Sequence, residues 1–246
     1  MNTRVEHIMG LPISIDVRDE DPALVEAIEG AFESLREADS RFSPFRTDSE
    51  ICRYDRGELA PELVSDDFRE VMGICSHYER ESGGAFTARV PGRGLDPSAV
   101  VKGWAVQRAA DFLRLSGAQR FCVNAGGDVI AAGEPEDGRP WRVGVRHPDQ
   151  PDTLCAVIAA RDLAVATSAT YERGQHIFDG RTGEPAGGLV SVTITASDLT
   201  TADSTATAAF AMGRDGIAWA AAQPGCEVLI VDADRRVHRT PGLHTL

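Results

Sequence analysis

The chain has 246 residues, 42% of them hydrophobic and 26% charged. That is the composition of a soluble globular protein with one large domain or two small ones, and it excludes a disordered, collagenous or membrane-spanning chain. The formal net charge of -13, with no Lys/Arg cluster, argues against a nucleic-acid binder, which usually needs a basic surface to displace phosphate counterions.

In chain order, Ile13–Val17 alternates and reads as a strand. Asp21 and Pro22 punctuate the start of a helix whose Leu24, Ile28, Phe32 and Leu35 share one face. A second helix runs from Asp66 to about Tyr78, with Phe68, Val71, Met72 and Cys75 inward, and a third from Ser98 to a stop at Gly117. Short strands rich in Val, Ile and Thr follow: Phe121–Asn124, Arg142–Arg146, Leu154–Ala160, Leu163–Thr167 and Val190–Thr195. Gly133–Pro140 is the expected hairpin or hinge. A fourth helix is expected over Asp203–Ala222, then a strand Glu227–Asp232 with a partner near Val237. Grouped rather than alternating elements predict an α+β fold, and no compositional break divides residues 1–246 into two domains.

The five cysteines are scattered and form no CxxC pair, which fits reduced thiols in a cytoplasm. The segment from Met1 to Pro12 has no apolar stretch behind a basic residue. Neither a signal peptide nor a membrane anchor is therefore expected, and the localisation read from the sequence is cytoplasmic.

Five segments could carry chemistry. Lys102 is the one lysine among 25 basic residues. It is either a surface residue or a compact point charge where a planar guanidinium would not fit. The glycine pairs in Gly83-Gly84-Ala85-Phe86-Thr87 and Asn124-Ala125-Gly126-Gly127-Asp128 are either tight turns or places where backbone meets a ligand. Neither fits the dinucleotide fingerprint or the phosphate loop of NTPases. Asp203 and Thr207 are four residues apart and share a helix face. Both are hard oxygen donors suited to Mg2+, although taken alone Asp203 reads first as a helix cap. The fifth segment holds Thr167-Ser168 and, further on, His176, which is either a structural histidine or a general base.

Taken together and in order, these segments resemble the FAD:protein FMN transferases, the ApbE-like flavin transferases. The resemblance runs from Met9-Gly10 through Asp39-Ser-Arg-Phe42-Ser43-Pro-Phe45, Ser49-Glu50-Ile51 and Gly84-Ala85-Phe86. It continues through Asp96…Lys102-Gly103, Asn124…Asp128, Trp141…His147-Pro148, Ala166-Thr167-Ser168, His176-Ile177, Arg181-Thr182-Gly183 and Ala202-Asp203…Ala206-Thr207. It implies a single antiparallel, T-fold-like domain with packed helices. The implied activity is Mg2+-dependent transfer of FMN from FAD to a threonine or serine hydroxyl of an acceptor protein, releasing AMP. By the same resemblance Asp203, Thr207 and the Ala99 carbonyl would hold the metal. Met9, Phe45, Ala85, Phe86, Thr87, Asp96, Lys102 and Ile177 would line the FAD site, and His176 would be the base. The acceptor would be cytoplasmic or cytoplasm-facing. Water in place of the acceptor would make an FAD hydrolase, and FAD left intact would make a flavin-binding protein. The chain departs from the family pattern at Phe45 (a tyrosine there), Thr87 (an aspartate), Gln107 (often an aspartate) and Gly180 (a proline).

Overall fold

The computed structural model describes residues 2–90, 92, 94–150, 152–170 and 177–246. Strands β1 (Asn2–Ile8) and β2 (Leu11–Val17) pair antiparallel from Ile8↔Leu11 outward, joined by a two-residue turn. Both turn residues have positive φ, Met9 at 55° and Gly10 at 70°. That is the backbone hand a tight hairpin requires, and at Met9 it is a conformation most side chains avoid.

A long excursion of helices follows β2. In α1 (Leu24–Phe42) the expected face of Leu24, Ile28, Phe32 and Leu35 is buried. Asp21 accepts from the Ala23 amide in the turn before the helix rather than capping it directly. A short α2 (Glu50–Asp55), capped by Ser49, escaped the sequence reading. In α3 (Asp66–Glu81) Phe68, Val71, Cys75 and Tyr78 are buried. A two-stranded ribbon, β3 (Arg89–Val90) with β4 (Gly94–Leu95), then leads into α4 (Ser98–Leu115). The α4 helix ends at Gly117, φ 97°, with Ala118 N–H donating to Leu113 O and Gly117 N–H to Arg114 O. Both bonds belong to a glycine-terminated helix end.

The remaining strands are β5 (Phe121–Ala125), β6 (Asp128–Ala132), β7 (Trp141–Arg146), β8 (Leu154–Ala160), β9 (Leu163–Ala169), β10 (Leu189–Ala196), β11 (Glu227–Asp232) and β12 (Val237–Arg239). Eight of the strands form one sheet in the order β1-β2-β5-β6-β9-β10-β11-β12. Every neighbouring pair is antiparallel. The β7–β8 hairpin stands apart, reached through the Gly133–Pro140 connection. These elements make one α+β domain, as expected.

Period-two alternation sends side chains to two cores. Ile13, Ile15, Val123, Ile130, Ala164, Ala166 and Ile194 face the helices. Val129, Ala131, Val165 and Leu229 face the β7–β8 hairpin with Trp141, Val143 and Ile158. By the same alternation Asp128 lies on the helix side with Ile130, and Ser168 with Ala166.

The expected helix Asp203–Ala222 needs correction. It is two helices, α5 (Leu199–Met212) and α6 (Asp215–Ala221). Asp198 caps α5 through the Thr201 amide, so Asp203 lies inside the helix and is not its cap. The break falls at Gly213, φ 64°, where an added Cβ would sit 2.6 Å from Gly187 O. Gln107 of α4 accepts the Leu199 N–H at 2.8 Å and so ties α4 to the start of α5.

The α5 helix is nearly all small residues and is buried on most sides, against α4, β9 and β10. Its approach to α4 is set by Gly103, where an added Cβ would lie 2.6 Å from Leu199 O and 2.8 Å from Asp203 Cβ. Backbone cannot give way as a flexible side chain would. Gly103→Ala is therefore expected to cost about 1–3 kcal/mol, read as a lower urea midpoint with an unchanged slope.

Candidate functional site

Where the β1–β2 turn, the end of α1, the first turns of α4, the β5–β6 turn and α5 converge, they enclose a cleft of about 1050 Å³. Its position follows from the fold. The long helical excursion returns to the sheet at β5, so the hairpin turn at one edge faces the helix starts. Met9, Phe45, Phe86, Thr87, Asp96, Ala99, Lys102, Ile177, Asp203 and Thr207 all line it. Ala85 does not line it; it is fully buried, and its carbonyl accepts the Gly180 N–H at 2.8 Å. Phe45 stands at the rim, 87% exposed. His176 lies outside the described residues, next in sequence to Ile177.

The polar centre is built on Lys102. Its ammonium contacts Asp128 Oδ2 and lies 3.2 Å from Asp203 Oδ1. Asp128 and Asp203 are 3% and 2% exposed. Each carboxylate is also held by backbone: Asp128 Oδ1 accepts from Thr167 N–H, and Asp203 Oδ2 from Gly103 N–H, both at 2.9 Å. One turn after Asp203, the Thr207 hydroxyl lies 3.2 Å from Ser168 Oγ. Gly103 N–H is the donor that the helical pattern assigns to the Ala99 carbonyl, so Asp203 competes with that carbonyl for it.

Burial alone would lower the Lys102 pKa, but the carboxylates of Asp128 and Asp203 outweigh it and raise it, so the ammonium stays charged. Burial pushes the Asp203 carboxyl well above the usual carboxylate range, against the pull of Lys102 and with the push of Asp128. Two buried carboxylates therefore face one ammonium, and the cluster is short of positive charge. Among the described residues no three His, Cys, Asp or Glu side chains gather into a metal cluster. The donors that do gather are hard oxygens: the Asp203 carboxylate, the Thr207 hydroxyl and the Ala99 carbonyl nearby. That set fits a hard divalent cation which keeps other positions for water and phosphate. Beside it, the first turn of α4 brings Ser98 and Ala99 to the cleft wall, and the positive end of a helix favours an anion there.

Asp128 is the site residue whose role the sequence did not show. Its segment reads as a glycine turn, and indeed Gly127 N–H donates to Asn124 Oδ1 there. The pairing with Lys102 follows only once β6 is placed against α4.

A family model described as "ApbE family" matches residues 9–92 and 87–230. The chain is similar to "FAD:protein FMN transferase" of Vibrio cholerae, 33% identical over 193 residues, which is 72% of this chain and 57% of that protein. It is likewise similar to the protein of the same name in Treponema pallidum, 33% identical over 213 residues, 77% of this chain and 57% of that one. The chain thus spans little more than half the length of these two curated relatives. Among solved structures, the apbe protein of Thermotoga maritima superposes with a TM-score of 0.85 at 24% identity, covering 98% of this chain and 97% of that one. "Flavin Transferase ApbE from Vibrio cholerae" does so with 0.83 at 24%, with the same coverage of both chains.

Proposed function

The chain belongs to the ApbE family, and from that membership we propose that it moves FMN from FAD onto a threonine or serine hydroxyl of an acceptor protein, with Mg2+ as the required ion. The observation that carries this reading is the Lys102–Asp128–Asp203 cluster beside Thr207. It lies in a cleft at the upper end of the usual size for a ligand pocket. The two relatives are named for FMN transfer from FAD to protein.

In this reading the acceptor oxygen attacks the FMN phosphorus. A new phosphoester forms, the diphosphate bond breaks, and AMP leaves. Positioning and charge neutralisation supply most of the catalysis in such a step. Lys102 and the first turn of α4 hold the diphosphate, while Met9, Phe45, Phe86, Thr87, Asp96 and Ile177 hold the rest of FAD, with Ala85 behind them. Asp203, Thr207 and the Ala99 carbonyl would hold Mg2+, which when bound neutralises charge on the phosphates. His176 takes the hydroxyl proton, since a neutral hydroxyl is a poor nucleophile.

All five cysteines are free, and burial pushes the Cys75 and Cys122 thiols up to about 12. Thiols so poised are inert. Among the described residues no helix is long and apolar enough to cross a membrane. That the acceptor is cytoplasmic or cytoplasm-facing rests on the sequence reading alone.

The test is to incubate the protein with FAD and an acceptor peptide, with Mg2+ or with chelator, and to follow AMP. The expected result is AMP release that needs both Mg2+ and the peptide. Release without the peptide marks an FAD hydrolase, and intact FAD with Mg2+ present marks a flavin-binding protein; either result refutes the transferase reading.

A further inference from the structure

Two segments far apart in sequence meet at one backbone hydrogen bond beside the cleft. Residues 84–87 leave α3 and place Phe86 and Thr87 on the cleft wall. Their amides are committed behind them: Gly84 N–H to Glu79 O at 2.7 Å, and Phe86 N–H to Ser82 Oγ at 2.9 Å. The Ala85 carbonyl points the other way and accepts from Gly180 N–H at 2.8 Å.

Gly180 sits in a turn that is braced several times over. Gly183 N–H donates to Asp179 O at 2.7 Å, and Asp179 N–H to Glu184 O at 2.9 Å. Arg181 N–H and Nε both donate to Asp179 Oδ1 at 2.9 Å. Nothing larger than hydrogen fits on Gly180. A Cβ there would lie 2.5 Å from Gly84 O and 2.9 Å from both Cβ and Cγ2 of Thr87. The Thr87 side chain fills the space that a side chain at 180 would need. Its Oγ1 accepts the Arg89 N–H at 3.0 Å, which fixes its rotamer.

We propose that Gly180 is a positioning residue: the Asp179–Gly183 turn buttresses residues 84–87 and sets where Phe86 and Thr87 meet the flavin nucleotide. Gly180 and Thr87 act as a matched pair, one absent side chain facing one β-branched one. The inference rests on the reading of the cleft as an FAD site. Because Ile177 and Phe178, which precede the turn, also line the cleft, the bond makes one rigid wall of two chain segments.

The test reads FAD affinity by flavin fluorescence and melting temperature on the same samples, without any transfer step. The methyl of Gly180→Ala must push residues 84–87 aside, so some fall in melting temperature is expected, as at Gly103, and affinity is read at a temperature where the variant is fully folded. There FAD binding is expected to weaken by roughly tenfold or more. Adding Thr87→Ser removes Cγ2 but keeps the oxygen that holds Arg89, and it should return part of the lost affinity. Thr87→Ser alone should not strengthen binding. Asp179→Ala, which loosens the turn without adding bulk, should weaken FAD binding to a smaller degree. Unchanged affinity in Gly180→Ala overturns the proposal. So does an affinity loss that follows the melting temperature and is not recovered by Thr87→Ser. A wild-type protein that binds no FAD removes this proposal and the functional reading together. One that binds FAD but transfers nothing removes only the functional reading.

Discussion

Replacing Asp203 by asparagine is expected to stop FAD cleavage while leaving the fold intact. The asparagine oxygen can still accept from Gly103 N–H, the bond that ties α5 to α4. What is lost is the one charged donor that stands a helical turn from Thr207. Removing a group that stabilises charge at a reacting centre costs on the order of 10²–10³ in rate, and here the metal should go with it. The stability readout has a definite sign. Burial raises the Asp203 carboxyl to about 7, so its contribution to stability is complete below about 4, the ordinary carboxylate value, and is lost as pH rises from there through about 7. Asparagine carries no such pH-dependent loss. Without metal at neutral pH, the variant should therefore melt at or above the wild-type temperature. Mg2+ should raise the wild-type melting temperature and leave the variant's where it is, because only a ligand that binds the native state stabilises it. Wild-type turnover in the variant, or an equal Mg2+ response, would remove Asp203 from the proposed metal site.

Lys102 tests the same cluster from the other side. Lys102→Met leaves two buried carboxylates with no counter-charge, and breaking a buried ion pair in that way costs about 3–5 kcal/mol. The urea midpoint should fall accordingly, and Mg2+ should return part of the loss. Lys102→Arg keeps the charge but puts a planar fork where the ammonium contacts Asp128 and lies 3.2 Å from Asp203. That variant should fold yet bind FAD poorly, because the fork cannot reproduce a point contact with two converging carboxylates. Wild-type stability in Lys102→Met together with wild-type FAD affinity in Lys102→Arg would make Lys102 an ordinary surface residue.

Much of this was legible before the fold was known, for reasons that differ by element. The β8 and β11 strands stand at the bounds read from their Val- and Ile-rich runs. The α1 face was visible because four large apolar residues repeat at helical spacing. The β6 strand was missed because Asp128–Ala132 is buried on both faces. It therefore has no alternation, and it follows a glycine pair that reads as a loop. The start of α5 was missed because Thr200, Thr201, Ser204 and Thr205 look like a turn, and Asp203 itself reads as a cap. Only the structure shows that Asp198 is the cap and that Asp203 is free to face Lys102. The solitary lysine marked the site by composition, but its partner Asp128 could not be read. That contact depends on how α4 lies over β6, and no local spacing encodes it. Gly180 and Thr87 were visible only as departures from a pattern; their complementarity is a matter of tertiary distance.

The most direct test of the central claim is the intact mass of an acceptor domain carrying one reactive threonine, after incubation with this protein, FAD and Mg2+. The account predicts that the acceptor gains one FMN as a phosphoester, that AMP appears in equal amount, and that mutating the acceptor threonine to alanine abolishes both. An acceptor of unchanged mass, with free FMN and AMP accumulating at the same rate whether or not the threonine is present, would contradict it.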